Sequence, residues 1–289
     1  MTIATIDIGG TGIKFASLTP DGKILDKAST ATPETLEELL AWLDQRLSER
    51  AYRGIAMSVP GAVHQETGVI EGISAISYIH GFSWYEALAH HKLPIHLEND
   101  ANCVGLSELL AHPEIENAAC VVIGTGIGGA MIINGKLHRG RHGLGGEFGY
   151  MTTIEPAERL NNWSQLASTG NMVRYVIEKS GQTDWDGRKV YQEAAAGNAL
   201  CQEAIERMNR NLAQGLLNIQ YLIDPDVISL GGSISQNLDF IKGVQKAVDA
   251  FVERYEEYTI APVIQACTYQ ADANLYGALV NWLQEENQW

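Results

Sequence analysis

The chain has 289 residues, 45% of them apolar and 19% charged, with a formal charge of −15. That length suits two domains of ordinary globular composition. The acid excess argues against a nucleic-acid surface, which needs stripes of Lys and Arg. Cys103, Cys120, Cys201 and Cys267 are scattered, form no CxxC pair, and read as small apolar residues in a reducing compartment rather than as a zinc site. No apolar stretch reaches membrane-spanning length. The segment Met1–Asp7 lacks the basic and apolar regions of a signal peptide, so a cytoplasmic protein with no membrane partner is expected.

In chain order, residues 2–8 alternate and are β-branched, predicting a strand. A glycine turn leads to a second strand over 13–19, and Pro20-Asp21-Gly22 turns into a third over 23–30. Thr32-Pro33-Glu34 predicts a helix start with Thr32 as N-cap, and Leu36, Leu39, Leu40, Leu43 and Leu47 then share one face. A buried-type strand over 54–59 ends in Pro60-Gly61, another covers 93–97, and a helix follows over 101–111. The pattern restarts after Pro113 with a strand over 118–123, a second glycine turn and a hairpin at Asn134-Gly135. Ala204, Ile205, Met208, Leu212, Leu216 and Ile219 mark a long amphipathic helix. A strand over 227–230 and a helix over 238–255 follow. Two related α/β halves facing a cleft are the economical arrangement.

Several segments carry chemistry. In Asp7-Ile8-Gly9-Gly10-Thr11-Gly12, glycines let the backbone approach phosphate oxygens, and Asp7 suits water around Mg²⁺. Alone, the same residues fit a hairpin turn that needs positive φ. The segment is neither a P-loop nor a dinucleotide fingerprint, because a strand follows it rather than a helix. Gly124-Thr125-Gly126-Ile127-Gly128-Gly129 repeats the strand–turn–strand context, so its GxGxxG spacing opens no Rossmann helix. Leu230-Gly231-Gly232-Ser233-Ile234 gives close backbone approach to a flat ligand such as adenine, or tight helix–sheet packing. Glu147, in Gly145-Gly146-Glu147-Phe148-Gly149-Tyr150, is a hydroxyl-binding carboxylate or a surface-loop residue. Asn99-Asp100, between strand and helix, reads as a helix cap, as a general base with its neighbouring amide, or as both. His90-His91, His138 and His142 show no ligand spacing with Cys or carboxylate, so surface or supporting roles are expected.

Taken together, Asp7–Gly12, Ser58–Gly61, Glu98–Cys103, Gly124–Gly129, Gly146–Tyr150 and Leu230–Ser233 resemble the ROK family of sugar kinases, within the superfamily of actin and hexokinase. The resemblance runs in order over nearly the whole chain. It implies an α/β, two-domain actin-like ATPase (ribonuclease H-like) fold with a cleft between domains. Residues 1–110 would form the smaller domain, completed by a C-terminal helix over 273–289, and 111–272 the larger. It implies an enzyme with ATP and Mg²⁺ as cofactors, and a homodimer. By resemblance Asp100 is the base, and Asn99, Glu147, Pro60, Gly61 and Tyr150 lie at the sugar. Gly9, Gly10, Thr11, Gly12, Gly124, Thr125, Gly126, Gly128, Gly129, Gly231 and Gly232 hold phosphates and adenosine, and Asp7 holds Mg²⁺ through water.

Two departures bear on the substrate. Family members carry His where this chain has Tyr150, and a CxCGxxGCxE segment supplying zinc cysteines and a sugar-binding Glu. Here residues 159–168 lack cysteine, and Ser164 stands about where that Glu should be, so no zinc site is expected. Without the His and Glu that grip a free anomeric hydroxyl, the site can admit a substituted C1. The local wording resembles zinc-free β-glucoside kinases, which phosphorylate the 6-hydroxyl of glucosides such as cellobiose. Trp163, Trp84 and Tyr150 are candidates for an aromatic platform under a second ring. The alternatives are a glucokinase or another hexose kinase acting on fructose or N-acetylmannosamine. A sugar-sensing regulator would carry a helix-turn-helix ahead of the first glycine turn, which here begins seven residues from Met1. An actin-like assembly ATPase would have no use for Asn99, Asp100 and Glu147.

Overall fold

The structure is a computed structural model and describes residues 2–72, 74–154, 160–255 and 257–289. Its contacts form two compact units. Unit 1 comprises Met1–Glu114, Arg139–Gly145 and Ala271–Trp289; unit 2 comprises Ile115–His138 and Gly146–Gln270. The excursion of Arg139–Gly145 into unit 1 has no signal in the sequence pattern. Among the described residues no helix is long and apolar enough to cross a membrane.

Unit 1 is built on strands β1 (Ile3–Ile8), β2 (Gly12–Leu18), β3 (Ile24–Ala31), β4 (Gly54–Val59) and β7 (Ile95–Asn99). They lie in the order β3-β2-β1-β4-β7, the first three antiparallel and the last three parallel. A small hairpin, β5 (Ala62–His64) and β6 (Val69–Glu71), and the short helix α2 (Trp84–Ala87) sit between β4 and β7. Alternation along β1 sends Ala4, Ile6 and Ile8 into one core with Leu39, Leu43 and Leu47 of helix α1 (Leu36–Ser48), while Ile3 joins Leu275, Leu279 and Trp282 of the C-terminal helix Ala273–Glu285 in another. That helix crosses α3 (Asp100–Ala111) so closely that a Cβ on Gly277 would sit 1.7 Å from the Cys103 carbonyl oxygen. Only glycine fits there.

The start of α1 differs from the expectation. Thr35, not Thr32, caps the helix, accepting from the Glu38 N–H at 3.2 Å. Thr32 is held elsewhere, because its hydroxyl donates to the Gly9 carbonyl at 2.6 Å and so braces the first glycine turn.

Unit 2 repeats the plan. Strands β8 (Ala118–Ile123), β9 (Ile127–Ile133), β10 (Lys136–Leu137), β13 (Val227–Gly231) and β14 (Ile264–Ala266) lie in the order β10-β9-β8-β13-β14, again antiparallel then parallel. Asn134 and Gly135 join β9 to β10 with φ of 52° and 68°, the left-handed pair that a two-residue hairpin requires. A ribbon of β11 (Thr152–Ile154) and β12 (Leu160–Asn162) leads to helices α4 (Trp163–Ala167), α5 (Thr169–Ser180), α6 (Gly187–Ala195) and α7 (Ala199–Ile223); α8 (Leu238–Arg254) follows β13. The core joins Val121, Ile123, Ile228 and Leu230 of the sheet to Met208, Leu212 and Leu216 of α7 and Phe240 and Val244 of α8.

In unit 1 the excursion Arg139–Gly145 is anchored by an ion pair. Arg139 Nε donates at 2.6 Å to Oε2 of Glu98, which is 2% exposed. Its Nη2 donates to Asn281 Oδ1 at 2.8 Å and Glu285 Oε1 at 3.0 Å. Removing one partner of a buried pair leaves an uncompensated charge and costs about 3–5 kcal/mol. Arg139→Met is expected to fall near the lower end, about 3 kcal/mol by urea unfolding, because the guanidinium keeps some water contact. Combined with Glu98→Gln, the loss should fall short of the sum of the single losses by about 0.5–3 kcal/mol; strictly additive losses would show that the pair is not coupled.

Candidate active site

The parallel strands β1, β4 and β7 of unit 1 end together, which places Asp7, Ser58 and the Glu98–Asp100 segment along one sheet edge. Ligands of open α/β sheets bind at such carboxyl ends. A pocket of about 570 Å³ opens there, lined by Asp7, the Gly9–Gly12 turn, Lys14, Pro60, Asp100 and Asn274 among others. Asp7 is 5% exposed and held on both oxygens: Asn274 Nδ2 donates to Oδ1 at 2.8 Å and Lys14 Nζ to Oδ2 at 3.1 Å. Lys14 is opposite Asp7 because the β1–β2 register pairs them directly. Asn274 Oδ1 is buried in the same pocket without a hydrogen-bond partner. The turn itself closes with Gly9 N–H donating to the Gly12 carbonyl at 3.1 Å. Gly9, Gly10 and Gly12 have no left-handed backbone, so the turn does not need glycine for positive φ.

Asn99 caps α3, its Oδ1 accepting from the N–H groups of Ala101 at 2.9 Å and Asn102 at 3.2 Å. Its Nδ2 donates to the Gly61 carbonyl at 3.1 Å, fixing the Pro60-Gly61 loop to the end of β7. Of the pair Asn99-Asp100, Asn99 is the cap. Asp100 follows in the first turn of α3, Oδ1 accepting from Ala101 N–H at 2.8 Å. Desolvation pushes its carboxyl above the usual aspartate range, and the negative charge of Asp7 adds to the rise. Hydrogen bonds from the Ala101 and Asn99 side act in the opposite direction.

In unit 2 the equivalent strand ends carry the other glycines. Gly124, Thr125 and Gly126 are exposed between β8 and β9. A Cβ on Gly124 would meet nothing within 4 Å, so the fold itself does not require glycine there. The N-terminus of α5 abuts this turn, Gly170 N–H donating to the Gly124 carbonyl at 3.1 Å, an arrangement that favours anions. Gly128 and Gly129 lie within β9; Gly129 is buried where a Cβ would meet Phe148 at 2.4 Å, a packing reason for the glycine. Gly231 ends β13, and Gly232 has φ of 89° with the Ile123 carbonyl oxygen 2.1 Å from where its Cβ would be. Glu147 is half-buried just before the single helical turn Phe148–Tyr150, and Tyr150 is 72% exposed.

A second pocket, about 550 Å³, lies beside Gly232 and is lined by Thr169, Arg188, Tyr191, Ser233, Gln236 and Asn237 among others. The hydroxyls of Thr169 and Tyr191 are buried there without a hydrogen-bond partner. Burial drives the Tyr191 phenol well above its ordinary range. Neither residue, nor Lys14 or Asn274, was legible in the sequence as a site residue. The aromatic platform is corrected: Trp84 and Trp163 are core residues, 0% and 1% exposed. The Trp163 indole donates to the Asn211 carbonyl at 2.8 Å and lies where a Cβ on Gly215 would come within 2.2 Å of it. Ser164 is likewise turned inward, its Oγ accepting from Ile127 N–H at 2.9 Å and donating to the Ile127 carbonyl at 3.3 Å. Arg159, first residue of the cysteine-free stretch, lies outside the described residues.

A family model described as "ROK family" matches residues 3–285. A β-glucoside kinase of Listeria monocytogenes is 34% identical over 100% of this chain and 99% of its own length. Another, of Klebsiella pneumoniae, is 31% identical over 98% and 97%. The crystal structure of a ROK family protein from Streptococcus pneumoniae in complex with sucrose is 87% identical, covers 100% of both chains and superposes with a TM-score of 0.97. The chain therefore belongs to the ROK family, and it is a carbohydrate kinase with the actin-like ATPase fold.

Proposed function

We propose that this kinase transfers the γ-phosphoryl group of ATP to the 6-hydroxyl of a glucose unit whose anomeric carbon is substituted. The observation that carries the phosphotransfer reading is one pocket of unit 1. It combines a carboxyl of raised proton affinity, Asp100, with a buried acid, Asp7, and an exposed glycine turn. Asp100 takes the hydroxyl proton. Asn99, anchored through Gly61, keeps a second amide hydrogen for a neighbouring sugar hydroxyl, and Glu147 accepts from others. The N–H groups of the Gly9–Gly12 and Gly124–Gly126 turns and the α5 N-terminus hold phosphates. The pocket at Tyr191 and Thr169 takes the adenosine, offering two unspent hydroxyls to it.

The donors in unit 1 fit a hydrated Mg²⁺. Asp7 keeps lone pairs beyond its two hydrogen bonds, and Asn274 presents an unpartnered oxygen to the same pocket. When bound, Mg²⁺ neutralises charge developing on the phosphoryl oxygens. Asp7 and Asn274 would hold it through water.

The glucoside preference rests on what the C1 side lacks. Tyr150 points out into solvent and Ser164 is committed to Ile127, so neither of these two positions offers an imidazole or a carboxylate to a free anomeric hydroxyl. The sucrose bound by the 87% identical protein, a glucose substituted at C1, supports the same reading. So do the β-glucoside kinases among the relatives. A glucokinase or other hexose kinase is the rival.

Asp100→Asn should lower kcat by roughly 10²–10⁴-fold, the usual worth of a general base, while ATP affinity measured by calorimetry stays nearly unchanged. Retained turnover would remove Asp100 from the chemistry. In a screen of cellobiose, gentiobiose, sucrose, glucose, fructose and N-acetylmannosamine, kcat/KM should be highest for a disaccharide. Activity confined to free hexoses would overturn the glucoside reading. Because Asp100 acts ionised and its proton is held more tightly than in an ordinary aspartate, activity should fall on the acid side at a pH above the reference value of 3.8. Asp7→Asn removes the like charge, so the acid limb of the residual activity should move to lower pH; an unmoved limb would separate the two carboxyls.

A further inference from the structure

Away from the pocket at Asp100, unit 1 holds a cluster that the kinase chemistry does not use. Asp44 on α1 and the adjacent His90 and His91 bring one carboxylate oxygen and two imidazole nitrogens within 4.8 Å of one another. His91 Nε2 lies 2.7 Å and His90 Nε2 3.0 Å from the same atom, Asp44 Oδ1. The two rings are 4.1 Å apart at 38°. Neighbouring residues of a chain seldom reach one point; here the single helical turn Ala89–His91, closed by Lys92 at φ of 55°, folds both rings back onto α1. Both supports are fixed by the core, α1 through Leu43 and the turn through Leu88, each 0% exposed.

We propose that Asp44, His90 and His91 form a binding site for a zinc-class divalent cation. Two imidazole nitrogens and one carboxylate oxygen are the donor set of three-ligand zinc sites, with water in the fourth position. Tetrahedral coordination at the usual bond lengths sets ligand atoms about 3.3 Å apart. Asp44 Oδ1 is a few tenths of an ångström closer than that to each of the two nitrogens, so small rotations of the imidazoles open the space. His90 is 57% exposed and His91 15%, which leaves the water position on the solvent side and an entry path to it. Mg²⁺ demands octahedral oxygen ligation, so the cation of the kinase reaction does not compete. An occupied site would tie α1 to the turn that leads into β7, the strand ending in Glu98-Asn99. No sequence spacing announces this site, because its carboxylate comes from an element 46 residues away from His90.

The test uses tag-free, chelator-treated full-length protein, with Asp44→Asn and His91→Ala beside it and His90→Gln in reserve should His91→Ala not fold. Zinc chloride is titrated calorimetrically in the absence of nucleotide, and cobalt(II) replaces zinc for visible spectra. The expected result is one zinc ion per chain, with affinity lowered at least about tenfold in each variant. Zinc should raise the melting temperature of the parent but not of the variants, and the cobalt form should show the intense bands of a four-coordinate ion. With Mg²⁺ supplied, sugar phosphorylation by the zinc-free variants should match that of the zinc-free parent. Equal zinc affinity in parent and variants, no zinc binding by the parent, or a weak octahedral cobalt spectrum would each overturn the site.

Discussion

A carboxylate cut off from water must be matched lone pair by lone pair, and Glu98 is matched from four directions. The backbone N–H of Asn99 and the amide of Asn102 donate to Oε1 at 2.8 and 2.9 Å; Arg139 and, more distantly, Gln65 donate to Oε2 at 2.6 and 3.5 Å. Through these contacts one buried charge fixes the end of β7, the first turn of α3, the β5–β6 hairpin and the excursion Arg139–Gly145. The chain then runs from Arg139 to Glu147 in eight residues. A buried pair of this kind contributes little net stability compared with apolar packing, although breaking it is costly.

The two units show how one sheet plan yields different tasks. Each places a glycine turn between its first two strands and a parallel neighbour beyond the first. In unit 1 the edge bears acids, Asp7 and Asp100; in unit 2 it bears glycines, a helix N-terminus and unspent hydroxyls. The division follows from chemistry. A proton acceptor needs a carboxylate of raised affinity, whereas phosphate binding needs N–H groups, and an acid beside them needs a cation. An overall charge of −15 makes that local sorting necessary.

Much of this was legible in the sequence. The strand runs, the glycine turns and Asn99-Asp100 are local signals, and local signals survive without knowledge of the fold. The cap of α1 was misread because Thr32 fits a helix start by type, yet a tertiary contact with Gly9 claims its hydroxyl. Lys14 was hidden because its role comes from a cross-strand register, not from spacing. Asn274, Tyr191, Thr169 and Arg139 were hidden for a stronger reason: each meets its partners or its pocket from a distant element. Trp84 and Trp163 were overread, since an indole looks alike in sequence whether it meets a ligand or fills a slot above a glycine.

Ser164 has a consequence for how this enzyme's specificity can change. Its hydroxyl is bonded to both backbone groups of Ile127, and it crowds Gly149, whose Cβ would fall 2.4 Å from its Oγ. A glutamate placed there would surrender those bonds and need room that the neighbouring loop does not have. The position is tied into the scaffold, so Ser164→Glu would damage the turn before its carboxylate could serve any ligand. Departures from this substrate class are then expected to proceed through other walls of the site.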